Sequence, residues 1–276
     1  MKKTVIYGNG MLGKRLQEDL GWDISNHRVG TIEDLVQDIE TRGAEVVVNC
    51  VGMVGTNNVD DCNTKQTETL HKNSMIPLIM AEACRQTGSH LVHYSTGCMF
   101  DKPNEVVTED MAPNFDGLLY SRTKAYSDMA LGWLSNYQPL TVVRFRVPVD
   151  NRPNPRGLID KLKRYGKVID TNQSVTWMPD LVGATKHLTE SGMYGVFNII
   201  SDGPIHYPTL MKECLKYENG KLSFEVIPES TLNLVRTNVT MSADKLKNTG
   251  FQPITGEQLM TKGVEEYYKN GQTRRI

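Results

Sequence analysis

Gly8-Asn9-Gly10-Met11-Leu12-Gly13 follows the run Thr4 to Tyr7, which reads as a strand, and runs into a helical pattern from Leu12 to Leu20. A strand, a glycine-rich turn and a helix in that order constrain the chain more than any other feature. The first glycine permits a tight turn, the second lets bare backbone approach an anion, and the third packs the helix on the strand. The helix N-terminus adds unpaired N–H groups and the positive end of its dipole. Gly8, Asn9, Gly10, Met11, Leu12 and Gly13 are therefore candidates to cradle the pyrophosphate of a dinucleotide. A second strand near Trp22 to Ser25 ends in Asn26-His27-Arg28, where a carboxylate would select a free ribose 2'-hydroxyl. Asp23 comes too early for that role. The cation Arg28 favours a 2'-phosphate, so NADPH is the expected cofactor, with NADH as the alternative.

The first half of the chain keeps this rhythm. Glu45 to Val51, Leu91 to Tyr94 and Leu140 to Phe145 read as buried strands, and Ile32 to Ile39, Thr67 to Arg85 and Ser121 to Leu134 as helices. The third helix should bury Leu70, Ile76, Ile79, Met80 and Ala83 on one face. Such alternation predicts a Rossmann-type doubly wound parallel α/β sheet. The turn-rich stretch Asn151-Arg152-Pro153-Asn154-Pro155 breaks it. We expect an NADP-binding domain over residues 1–148 and a smaller α/β substrate-binding region over 149–276. The two should interleave, because Val196 to Ile200 reads as a strand that rejoins the sheet.

With 31 Lys and Arg against 32 Asp and Glu, the formal charge is -1, which argues against nucleic acid as a partner. The absence of an apolar run near 18 residues argues against a membrane span, and no signal peptide is legible, so a cytoplasmic protein is expected. The five cysteines are odd in number and lack metal-ligand spacing, which predicts reduced thiols and no bound metal.

Tyr-x-x-x-Lys occurs at Tyr120/Lys124 and at Tyr217/Lys221. The first pair opens a predicted helix between two strands, so both side chains share one helical face. The second runs through the turn signal Asn219-Gly220. Lys124 should hold down the pKa of the Tyr120 phenol and make it a proton donor to a carbonyl. Thr96, at the carboxyl end of the fourth strand, can hydrogen-bond the same oxygen.

Strand, GxGxxG and helix, a hydroxyl after strand four and Tyr-x-x-x-Lys together resemble the extended short-chain dehydrogenase/reductases that act on nucleotide sugars. Closer likeness lies in Asn49-Cys50-Val51-Gly52, Gly55-Thr56-Asn57-Asn58-Val59-Asp60, Ser95-Thr96-Gly97-Cys98-Met99-Phe100, and Asn114-Phe115 leading to Tyr120-Ser121-Arg122-Thr123-Lys124. These are similar to the bifunctional epimerase/reductases of UDP-L-rhamnose synthesis in plants and large DNA viruses. The likeness continues in Asn154-Pro155-Arg156, Lys161, Arg164-Tyr165, Arg236, Asn238 and Ser242-Ala243-Asp244-Lys245-Leu246. The bacterial dTDP-4-dehydrorhamnose reductases resemble the chain more distantly.

The resemblance implies a UDP-4-keto-6-deoxy-D-glucose substrate, inverted at C3 and C5 and then reduced at C4. It implies Thr96, Tyr120 and Lys124 for reduction, Cys98 and Lys161 for epimerisation, and Gly52, Tyr120 and Lys124 beside the cofactor. Thr96, Cys98, Asn154, Arg236 and Asn238 would meet the substrate. Pure reductases of this type carry a non-thiol residue at the position of Cys98. A separate 4,6-dehydratase is the expected supplier of substrate, and helices flanking the sheet could pair two copies into a homodimer. Two other readings stay open, a monofunctional dTDP-4-dehydrorhamnose-type reductase and a non-catalytic dinucleotide-binding regulatory subunit.

Overall fold

The computed structural model describes residues 2–273, with Asn57, Asn233 and Leu234 excepted. Thr4, Val5, Ile6 and Tyr7 are all buried and form β1 (Thr4–Tyr7), as expected of a strand covered on both faces. With β2 (Asp23–Ser25), β3 (Val46–Asn49), β4 (His90–Thr96), β5 (Leu140–Phe145) and β6 (Gly195–Asn198) it builds one sheet in the order β2-β1-β3-β4-β5-β6. β1 runs parallel to β2 and β3, and β3 parallel to β4. The strand order reverses between β1 and β3. In doubly wound sheets the ligand crevice opens at that reversal, outside the carboxyl ends of the strands.

Helix α1 (Met11–Leu20) buries Leu16, and α2 (Ile32–Arg42) buries Leu35 and Ile39. Both end on glycines in the left-handed conformation, Gly21 and Gly43. The helix read from Thr67 to Arg85 is three pieces: α3 (Gln66–Leu70), a π-turn over His71–Met75, and α4 (Ile76–Thr87). Pro77 is the cause. It has no N–H for the carbonyl of Asn73, and its ring would strike that carbonyl in a regular helix. Instead the Ile76 N–H closes onto the His71 carbonyl, and Ser127 Oγ donates to the Asn73 carbonyl at 2.7 Å. Ser127 belongs to α5 (Leu119–Leu134). The extra residue in the turn rotates the helix face, so Leu70 is 44% exposed while Ile76, Met80 and Ala83 are buried.

Two compact units divide the chain. The first takes Met1–Met99, Asp110–Arg144 and Val182–Phe197, and the second Phe100–Glu109, Phe145–Leu181 and Asn198–Ile276. Val5, Tyr7, Leu35, Val47, Met80, Leu91 and Val142 are among the core of the first. The second is a set of short strand pairs, Lys102–Val107 with Val239–Met241 and Lys167–Asp170 with Glu225–Pro228 among them. Its core includes Leu158, Ile159, Val168, Trp177, Leu210 and Tyr267. Helix α6 (Leu158–Tyr165) lies in this unit. All five cysteines are free thiols. Among the described residues no helix is long and apolar enough to cross a membrane.

Gly13 shows how closely α1 seats on β1: a Cβ there would lie 2.0 Å from the Gly8 carbonyl oxygen. Gly13→Ala should therefore lower the unfolding free energy by about 3 kcal/mol or more. Urea denaturation reads this as a lower midpoint, and an unchanged midpoint would contradict the packing.

Candidate active site

The carboxyl end of β4 is tied to α5 almost residue by residue. Lys124 Nζ donates to the Tyr94 carbonyl at 2.9 Å. Ser95 Oγ donates to Asp128 at 2.6 Å, and the Thr96 hydroxyl hydrogen-bonds the Tyr120 phenol. Just past the strand, Ser121 Oγ donates to the Cys98 carbonyl at 2.7 Å, while the Cys98 N–H donates to Thr96 Oγ1 at 3.1 Å. Tyr120, Lys124 and Asp128 sit four residues apart on one face of α5, all buried. The structure thus brings Thr96, Cys98, Tyr120 and Lys124 together.

Burial pushes the Tyr120 phenol up, neighbouring Cys98 adds to this, and the Thr96 hydrogen bond opposes it. Lys124 is not among the groups that move the phenol, contrary to the sequence-based expectation. Its ammonium goes to the Tyr94 carbonyl because the register of β4 against α5 places that oxygen within reach. Burial lowers Lys124 itself to about 8, with Asp128 opposing. The proton on Tyr120 is therefore held by desolvation, which disfavours the charged phenolate.

Around the Gly-rich loop the geometry suits a diphosphate. Gly8 has φ +114, and a Cβ there would meet the Cys50 carbonyl carbon at 2.6 Å, so loop and β3 end touch backbone to backbone. A Cβ on Gly10 would meet nothing within 4 Å. No side chain caps α1 and no acid lies in its first turn, which leaves the dipole end open to an anion. Asn9 and Gly10 are exposed, Met11 and Leu12 half-buried. Gly52 lies over the lysine: a Cβ there would be 3.6 Å from Lys124 Nζ. Arg28 is exposed just beyond β2. Asp38 on α2 is committed to the Tyr7 hydroxyl at 2.6 Å, Ser25 Oγ at 3.0 Å and Arg42 Nε at 3.0 Å.

Other candidates lie in the second unit. Lys161 on α6 is half-buried, and its pKa is lowered by burial and by nearby Arg164, Arg156 and Arg236. Its neighbour Lys163 turns instead to Glu218 and the Tyr268 ring. Asn154 Oδ1 accepts from the Arg156 N–H at 3.0 Å. Asn238 Nδ2 donates to Thr171 Oγ1 at 3.0 Å and to Glu229 at 3.1 Å. Trp177 and Met178 are core residues, 3% and 1% exposed. Tyr217/Lys221 runs through a turn at Asn219, with φ +47, and Tyr217 stacks on Tyr268.

Sequence reasoning missed Asn73. From the π-turn its side chain accepts from the Met53 N–H at 2.7 Å and donates to the Met53 carbonyl at 3.0 Å and to Thr123 Oγ1 at 3.3 Å. It pins the loop that carries Gly52. Pro77, four residues on, was the signal that could have found it.

The sequence profile of the NAD dependent epimerase/dehydratase family matches residues 10–149, half of the chain. The chain belongs to this family. It is 28% identical to a bifunctional dTDP-4-dehydrorhamnose 3,5-epimerase/dTDP-4-dehydrorhamnose reductase of Arabidopsis thaliana, over 98% of this chain and 95% of the relative. It is 30% identical, over 89% of its length, to a trifunctional UDP-glucose 4,6-dehydratase/UDP-4-keto-6-deoxy-D-glucose 3,5-epimerase/UDP-4-keto-L-rhamnose-reductase of the same plant, of which the match spans only 39%. The crystal structure of a UDP-rhamnose synthase from Acanthamoeba polyphaga mimivirus superposes with a TM-score of 0.88 at 22% identity, covering 96% of this chain and 99% of the other.

In this epimerase/dehydratase family member the buried lysine leaves a signature in stability. Folded Lys124 gives up its proton near pH 8, while unfolded lysine keeps its own to about 10.5. Between those values the unfolded state binds more protons, so the Lys124 contribution to stability rises with pH. The advantage of Lys124→Met over wild type should shrink by up to about 3 kcal/mol between pH 8 and 10.5. Urea denaturation of both proteins across that range measures it, and a pH-independent difference would contradict the buried ammonium.

Proposed function

We propose that the chain is an NADPH-dependent epimerase/reductase that converts UDP-4-keto-6-deoxy-D-glucose to UDP-β-L-rhamnose. The observation that carries this reading is Cys98, a half-buried thiol beside the Tyr120 phenol and two residues beyond Thr96. A reductase has no use for a proton-transferring group there, whereas an epimerase needs one.

In this reading Gly8 to Gly13, Gly52 and Arg28 hold the cofactor, with Arg28 on a 2'-phosphate, because Asp38 is already bound by Tyr7, Ser25 and Arg42. When bound, NADPH supplies the hydride that goes to C4. Tyr120 supplies the proton that O4 takes up. Its buried phenol stays protonated at working pH, and Thr96 hydrogen-bonds the same oxygen. Before reduction the C4 ketone acidifies the hydrogens on C3 and C5. One of the pair Cys98 and Lys161 takes a proton, the electron pair moves onto O4, and the other group returns a proton to the opposite face. Each inversion changes configuration with no net change in atoms. The lowered pKa of Lys161 brings its amine closer to proton exchange near neutrality. The clustered cations Arg156, Arg164 and Arg236 favour a diphosphate, which relieves their mutual repulsion. Asn154 and Asn238 hold the segments that present these cations. A separate 4,6-dehydratase supplies the 4-keto sugar.

We also propose a homodimer formed through α5. Tyr126 and Trp133 on this helix are each 66% exposed, and Tyr137 just after it 85%. Large aromatics carry roughly 150–250 Å² each. With Met129, Leu134 and Leu78 they approach the roughly 800 Å² per partner of a standard interface. Light scattering should give twice the chain mass for wild type and a single chain for Trp133→Glu. A monomeric wild type would overturn the dimer.

Two variants test the chemistry. Tyr120→Phe should cut C4 reduction by about 10²–10⁴-fold. Cys98→Ala should bind NADPH as wild type does but lose inversion at C3 and C5. Undiminished inversion in Cys98→Ala would remove Cys98 from the epimerisation, and with it the observation that carries this reading.

A further inference from the structure

Asp128 is fully buried one helical turn beyond Lys124. Its carboxylate is gripped by Arg144 on β5, with Nη2 to Oδ1 at 2.6 Å and Nε at 3.1 Å from both oxygens, and by Ser95 Oγ at 2.6 Å. Arg144 is 3% exposed. Buried ion pairs carry a desolvation cost that apolar residues of the same size avoid, so this one invites a reason beyond stability. The reason lies one turn back along α5. Ser95, which holds Asp128, is flanked by Tyr94, whose carbonyl takes Lys124, and by Thr96, which meets Tyr120.

We propose that Asp128 is a positioning residue for the reduction: fixed by Arg144 and Ser95, its carboxylate keeps the Lys124 ammonium charged and directed at the end of β4, and it acts on the reaction only through Lys124. This inference rests on the reductive role given above to Tyr120 and on the place beside the cofactor, and in the reduction, that the resemblance implies for Lys124.

The groups that face Lys124 single Asp128 out. Cys50, after β3, is pushed up by burial and stays a neutral thiol. His93, on β4, is held well below its ordinary value by burial and by Lys124, so it is neutral too. Asn49 orients it, the amide meeting His93 Nδ1 at 3.0 Å. Asp128, on the same helix as Lys124, is the ion-paired carboxylate that opposes the desolvation of the ammonium. Arg144 is the counterweight, since it neutralises part of the same carboxylate. With the carboxylate gone, Lys124 and Arg144 leave two buried cations without their anion. Lys124 is the one that can shed its proton.

The test is an NMR titration of lysine labelled with 15N at Nζ, on full-length protein without cofactor or substrate, with Lys124→Met used to assign the resonance. Asp128→Asn should lower the Lys124 midpoint by about one to two pH units, a ten- to hundred-fold loss of proton affinity. Asp128→Glu should restore most of it. The alkaline limb of NADPH oxidation with UDP-4-keto-6-deoxy-D-glucose should move by the same amount, because the rate falls as Lys124 loses its proton. If Asp128→Asn does not fold, Asp128→Asn with Arg144→Met removes both charges and should lower the Lys124 midpoint in the same direction. An unmoved midpoint in the folded variant overturns the proposal, and so does a moved midpoint with an unmoved alkaline limb. Failure of both variants to fold assigns the cluster to folding alone and overturns it as well. A wild type that does not oxidise NADPH with this sugar is a failure of the functional reading, and the substrate-free titration then decides the present inference by itself.

Discussion

The seam between β4 and α5 is the constraint on which the candidate site depends. The last three positions of β4 would be an ordinary buried strand were it not for what they meet: the Tyr94 carbonyl takes Lys124, Ser95 takes Asp128 and Thr96 takes Tyr120. Each contact crosses from a strand with a period of two to a helix whose i, i+4 face lines up along it. Slipping the strand by one residue would move each of these side chains to the other face and dismantle the whole set. Ser121 on the Cys98 carbonyl then fixes the loop that follows, so Cys98 is placed by the same seam.

Desolvation does the electrostatic work within this arrangement. It raises Tyr120 and lowers Lys124, so the phenol keeps its proton while the lysine comes into the range of physiological titration. The environment separates the two groups in opposite senses, which is the usual way a site assigns an acid. The same burial makes every nearby polar contact matter more. Asn73 on the Met53 loop and Ser127 on the Asn73 carbonyl are cases where a backbone group freed by local geometry is met by a side chain from α5 or the π-turn.

Much of this was legible before any coordinate. β-branched runs separated by helical periods gave the parallel sheet, because a strand buried on both faces must be apolar throughout. The glycines at 8, 10 and 13 announced the turn by their spacing, and Tyr120/Lys124 was distinguished from Tyr217/Lys221 by its helical context alone. What escaped depends on tertiary placement. The partner of Lys124 is a carbonyl, which every residue possesses and no sequence marks. The neighbours of Lys161 include Arg236, 75 positions away by residue number. The π-turn at His71–Met75 was different in kind, since Pro77 signalled it and the signal was overridden by an apolar period that the extra residue then broke. Residues 100–109 belong to the second compact unit although they sit between two stretches of the first, and short local patterns carry no trace of that excursion.

The proposed function requires one chain that both inverts C3 and C5 and reduces C4. Proton NMR of the sugar formed from UDP-4-keto-6-deoxy-D-glucose and NADPH in deuterated water tests it most directly, because each inversion passes through groups that exchange with solvent. Deuterium at C3 and C5 of a C4-reduced product with the L-rhamno configuration is the predicted result. A C4-reduced product that keeps its hydrogens and configuration at C3 and C5 would contradict the account and leave Cys98 and Lys161 without their assigned chemistry.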